Sequence, residues 1–166
     1  MATTNLSITW DHPRWPERTR RCLARAVAVV MAHEKRARLL SADQIEVAVH
    51  LTGNRAMRRI NQRYRGIDRS TNVLSFPMLE GNSQPVRRKK RHPVLPLGDI
   101  VLAYGTIRRE ARLNSLSWSD HVIHLTIHSL LHLLGYDHEQ SPQQADRQER
   151  RERSLLARLG IADPYR

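Results

Sequence analysis

Between Val122 and Leu134 the chain carries no Lys, Arg, Asp or Glu, although 27% of its residues are charged. Val122, Ile123, Leu125, Ile127, Leu130, Leu131, Leu133 and Leu134 make this stretch apolar nearly all round. A helix of that kind has to lie in the middle of a fold. A bilayer span would need about 20 uninterrupted apolar residues, and this run is shorter and broken by imidazoles. His121, His124, His128 and His132 form a stripe along it, spaced three, four and four.

His128 and His132 are one helical turn apart, so both project from one face at metal-binding separation. Gly135 can take the left-handed conformation that ends a helix. The returning chain would then bring His138 opposite the other two. Three neutral imidazoles around one point make an open Zn²⁺ site for one ion, its fourth position left for water as in catalytic zinc centres. His124 is the alternative third ligand, or a second layer of hydrogen bonding behind the ligands. Three histidines on a straight helix would spread over about 12 Å, which favours His138. Asp137 is a candidate to orient a ligating imidazole through its second nitrogen, with a plain turn residue as the alternative.

Several classes fall away. Helical zinc peptidases place Glu directly after the first histidine; here Ser129 stands there. A deaminase needs a Pro-Cys-x-x-Cys pair, and Cys22 is the single cysteine. No disulfide framework is possible, which fits a reducing cytoplasm. Met1–Trp10 lacks a signal-peptide layout, so a cytoplasmic protein with no membrane partner is expected.

The flanking pattern predicts a single α+β domain over residues 1–166, with about four strands and about five helices around a central metal-binding helix. Strands are expected at 6–10, 45–51, 73–77 and 98–103. Helices are expected from Pro16 to about His33, from Asn54 to Gly66, over Thr106–Leu113, from Ser117 or Ser119, and from Ser141 to Gly160. Ser141-Pro142-Gln143-Gln144 has the form of a capping box. Residues 79–96 read as a long, mobile, basic loop. Its run Arg87-Arg88-Lys89-Lys90-Arg91 offers RNA contacts through counterion release, or is simply a solvated charge run. The formal charge of +12 attracts polyanions, nucleic acid foremost.

The blocks His128-Ser-Leu-Leu-His132-Leu-Leu-Gly135-Tyr-Asp-His138, Asn61–Pro77 with Thr71-Asn72-Val-Leu-Ser-Phe-Pro77, and Leu97-Gly-Asp-Ile-Val101 closely resemble the bacterial YbeY family of metal-dependent endoribonucleases. The resemblance implies one Zn²⁺ on His128, His132 and His138, a functional arginine at Arg65, and single-strand-specific RNA cleavage. It further implies 16S rRNA 3′-end maturation and late ribosome quality control. The implied partners are the small ribosomal subunit, a ribosomal protein and the Era GTPase. Arg65 would hold two phosphate oxygens as charge builds on phosphorus, whether hydroxide or the RNA 2′-OH attacks. Two departures stand out. The 79–96 loop is longer and more basic than is usual in the family. Gln148 replaces the Met of many members, a change expected to touch packing rather than chemistry. The competing readings are a non-catalytic rRNA-binding assembly factor with a structural metal, and a metallohydrolase of peptides or amides.

Overall fold

The computed structural model describes residues 2–38, 40–79, 92–137 and 141–166. His138 and the run Arg87, Arg88, Lys89, Lys90 and Arg91 lie outside the described residues. Strands β1 (Thr3–Trp10), β2 (Ala42–Thr52) and β4 (His92–Ala103) are parallel neighbours, and the short β3 (Val73–Pro77) pairs antiparallel with β4. The sheet order is β1-β2-β4-β3. The described helices are α1 (Thr19–His33), α2 (Lys35–Arg38), α3 (Asn54–Arg65), α4 (Tyr104–Leu113), α5 (Trp118–Leu133) and α6 (Pro142–Arg158). The architecture is therefore the expected α+β, with the one-turn α2 added beyond the five helices predicted. None of the described helices is long and apolar enough to cross a membrane.

Strand alternation divides the molecule into two layers of unequal depth. Ile45, Val47, Val49, Ile100 and Leu102 point to one face, where α1 and α5 bury Leu23, Val30, Ile123, Ile127, Leu130 and Leu131 in the main core. Leu74, Val101 and Ala103 point to the other face, where α3 covers them with Met57 and the half-buried Ile60. At about 25 cal/mol per Å² of apolar surface buried, most of the hydrophobic stabilisation sits on the α5 side.

The strands β1 and β2 begin earlier than expected, at Thr3 and Ala42, and α1 later, at Thr19; the largest difference is in β4. Residues 92–96, expected as part of the 79–96 loop, belong with Leu97 to the first half of β4. Among the described residues that half pairs along its length with β2, and β3 joins β4 from Gly98 onward. A proline brings no N–H to the ladder, and the register shift beside Pro96, between Glu46 and Val47, absorbs the mismatch. At Gly98, with φ +146°, an added Cβ would lie 2.3 Å from the Phe76 carbonyl oxygen and 2.9 Å from Leu133 Cδ2. The end of α5 rests on β4 there, so no larger residue fits.

Candidate functional site

Helix α5 begins at a real cap: the Ser117 hydroxyl accepts the Asp120 N–H. It ends as the glycine predicts. Gly135 takes φ +86°, its N–H donates to the His132 carbonyl, and the Tyr136 N–H donates to the Leu131 carbonyl at 3.0 Å. These paired bonds form a Schellman motif that turns the chain sharply. Tyr136 is then pinned: its hydroxyl donates to the buried Glu34 at 3.1 Å, and Arg36 stacks 4.0 Å above its ring. Arg151 of α6 closes the same cluster on Glu34 at 2.8 Å. The turn at Gly135 is thus held by three separate elements.

His128 and His132 stand side by side, ring centroids 4.9 Å apart. Behind them lies a group the sequence reading missed. Glu152 of α6 is fully buried, and both its oxygens are saturated with donors. Oε1 accepts from His128 Nδ1 at 2.8 Å and from Gln148 Nε2 at 3.0 Å. Oε2 accepts from His124 Nε2 at 2.9 Å and from the Tyr165 hydroxyl. Burial raises the pKa of such a carboxyl, but the hydrogen bonds from His124 and His128 outweigh it and hold Glu152 well below the usual range. A carboxylate can only accept, so His128 donates its hydrogen from Nδ1, which in the neutral ring leaves the lone pair on Nε2. That is the tautomer a metal-ligating imidazole takes when a carboxylate orients it.

Gln148 therefore does more than pack. It is buried, and its side-chain nitrogen lies 3.1 Å from His128 Nδ1 as well as against Glu152. The expectation that this departure concerns packing alone is corrected. Glu152 is a carboxylate that reaches His128; Asp137 is half-buried just past the turn. His124 turns its Nε2 to the same carboxylate rather than standing with His128 and His132. His121 leaves the cluster for Glu110 of α4, 2.8 Å away. Burial raises the Glu110 pKa, but hydrogen bonds from His121 and Asn72 prevail and keep it below normal. A signal for Glu152 did exist. It shares the α6 stripe of Leu155, Leu156 and Leu159, and a Glu on an apolar stripe needs a buried partner.

Arg65 closes α3 in the opposite layer, next to Tyr64, whose ring meets Phe76 of the edge strand β3 at 5.1 Å. Helix α5 packs on the other face of that strand. Arg65 thus belongs to the helix on one side of the sheet and the histidine pair to the helix on the other. Among the described residues no three His, Cys, Asp or Glu side chains are arranged to hold a metal ion. The donor chemistry of the part described nevertheless fits one: two adjacent imidazoles, one with its tautomer set by a buried carboxylate.

A family model described as Endoribonuclease YbeY matches residues 9–160. A curated relative of that name from Rhodopseudomonas palustris (strain BisB5) is 45% identical over 139 residues, covering 82% of this chain and 71% of the relative. Another, from Sinorhizobium medicae (strain WSM419), is 39% identical over 170 residues and covers 99% and 96% respectively. The solution structure of TM1509 from Thermotoga maritima superposes with a TM-score of 0.56 at 20% identity, over 98% of this chain and 99% of that one. At that identity the likeness concerns the fold.

Proposed function

This chain belongs to the YbeY family of endoribonucleases, and from that premise we propose that it is a metal-dependent endoribonuclease cutting single-stranded RNA. Its place of action in this reading is the cytoplasm, in 16S rRNA 3′-end maturation and late ribosome quality control. The small subunit, a ribosomal protein and the Era GTPase are its partners there. The observation that carries the proposal is the imidazole pair backed by a saturated, buried Glu152. An ordinary core histidine does not need an ionised carboxylate with four donors behind it.

In this reading His128, His132 and His138 hold one divalent cation, Zn²⁺ by preference for three imidazoles. When bound, the ion supplies Lewis-acid stabilisation of the negative charge that builds on phosphorus. The protein groups do the rest. Glu152 keeps the Nδ1 hydrogen of His128 in place and raises the basicity of its Nε2. Tyr136, fixed on Glu34, holds the exit of the turn at Gly135. Arg65 presents a planar guanidinium able to hold two phosphate oxygens at once. The peptidase alternative lacks its base, because Ser129 is fully buried where the catalytic Glu would stand.

The test is cleavage of a labelled single-stranded RNA by purified protein, with and without chelator, beside His132→Ala and Arg65→Ala. Loss of cutting with chelator and in both variants is expected. Cutting that survives in both would place the active site elsewhere.

A further inference from the structure

The C-terminal ends of the three parallel strands open into a crevice of about 600 Å³. Such a crevice is where open α/β sheets tend to bind ligands. His12 follows β1, Asn54 follows β2 and Tyr104 follows β4, so each strand contributes its next residues to the wall. Arg14, Arg108, Arg109 and Arg112 stand exposed around it.

The floor is rigid. Tyr104 stacks on His12 at 5.4 Å and is wedged against Trp15 and Trp118, 5.7 and 5.3 Å away. Trp15 is itself fixed by a bond to the Thr52 carbonyl at 3.0 Å. Asn54 Oδ1 accepts from the Thr106 N–H at 2.9 Å, tying the start of α3 to the start of α4. Gly53 leaves room for the His12 ring, which an added Cβ would meet at 2.5 Å. This is a built cavity rather than a chance surface dent.

The chain's arginines divide into those held by a carboxylate and those that are not. Arg58, Arg150, Arg151 and Arg153 each pair with a carboxylate. Among the described residues none of Arg14, Arg108, Arg109 and Arg112 has an ion pair within 4 Å. Arg108 and Arg112 sit one turn apart on α4, and Arg14 stands in the segment between β1 and α1. Four exposed guanidinium groups around an aromatic floor is the chemistry that grips a phosphate chain while bases stack. Exposed cations strung along a rim suit successive phosphates of a strand better than a single nucleotide.

Trp118, which walls this floor, is the first residue of α5, with His128 and His132 further along the same helix. At 1.5 Å per residue that separates the crevice from the histidine pair by about 15–21 Å, a few nucleotides of extended strand. We propose that this crevice is a second RNA-binding site, which holds the backbone of the single-stranded substrate several nucleotides away from the scissile bond. The proposal rests on the endoribonuclease reading and adds a docking site separate from the histidine cluster.

The experiment measures binding, not cutting. Metal-free full-length protein is titrated with fluorescent single-stranded RNA of three and of about 12 nucleotides across a salt series. Wild type is compared with Arg108→Ala/Arg112→Ala, with the charge-keeping Arg108→Lys/Arg112→Lys, and with Arg150→Ala as an exposed control. Melting curves verify folding. For the long RNA, the alanine pair is expected to weaken binding about tenfold at low salt and to lower the log–log salt slope by about 1.4, two phosphates at ~0.7 each. The lysine pair should restore most of the slope, Arg150→Ala should leave it unchanged, and the trinucleotide should not distinguish the proteins. An unchanged slope in the alanine pair overturns the proposal. So does tight, saturable AMP binding that the alanine pair abolishes, which would make the crevice a mononucleotide pocket. Failure of the nuclease reading would appear separately, as cutting by wild type that is indifferent to chelator or to His132→Ala.

Discussion

At its His128 end, α5 meets a carboxylate that takes four hydrogen bonds out of reach of water; at its Trp118 end, it backs Tyr104, which lines a crevice with four solvent-exposed arginines. The two regions sit on one helix and treat polarity in opposite ways. Buried polarity survives only when every partner is present, so it fixes geometry and costs stability when any member is lost. Solvated polarity fixes little and leaves its charge available to a ligand. The contrast separates side chains that hold a site still from side chains that attract something to it.

The comparison would break first at Glu152. Glu152→Ala strips partners from His124, His128, Gln148 and Tyr165 at once and should cost about 3–5 kcal/mol. In a domain of this size that lowers Tm by roughly 10 °C, readable by calorimetry. If Tm barely moves, the carboxylate is not the buried keystone described. The conservative Glu152→Gln should stay folded and lose about 10–100-fold in metal affinity, measured by competition with a chromophoric chelator.

Next comes the apolar support. Leu130 is fully buried under the pair, and Leu130→Ala should cost about 2–5 kcal/mol through lost burial and the cavity left behind. Urea unfolding would measure it, with an unchanged slope.

A smaller effect belongs to Glu110, midway along the contrast because it is only partly buried. Its carboxyl is held below the ordinary value, so its contribution to stability is complete above about pH 4.5 and fades as pH falls through the folded value. Wild type should therefore lose more Tm between pH 6 and pH 3 than Glu110→Gln does. Equal losses would mean that His121 and Asn72 do not hold the carboxylate.

The smallest effect is expected at the crevice. Arg108→Ala, at an exposed and unpaired position, should change unfolding free energy by no more than about 0.5 kcal/mol. A larger loss would make that arginine structural and erase the distinction between the two ends.

What could be read from residues alone was local. The uncharged run set α5 in the core, Gly135 ended it in the left-handed region, and Ser117 and Ser141 capped the helices they precede, Ser141 accepting the Gln144 N–H at 3.2 Å. Each of these follows from neighbours within a turn or two, where backbone geometry and period decide. The pairing of His128 with Glu152, 24 residues away, and the crossing of His121 to Glu110 depend on how helices pack. So does the strand from His92 to Leu97, which pairs with β2 and takes up Pro96 at a register shift between Glu46 and Val47. Likewise the crevice arises because three distant strand ends converge. Periodicity fixes which face of an element is apolar, but only the packed chain decides which distant polar group that face must satisfy.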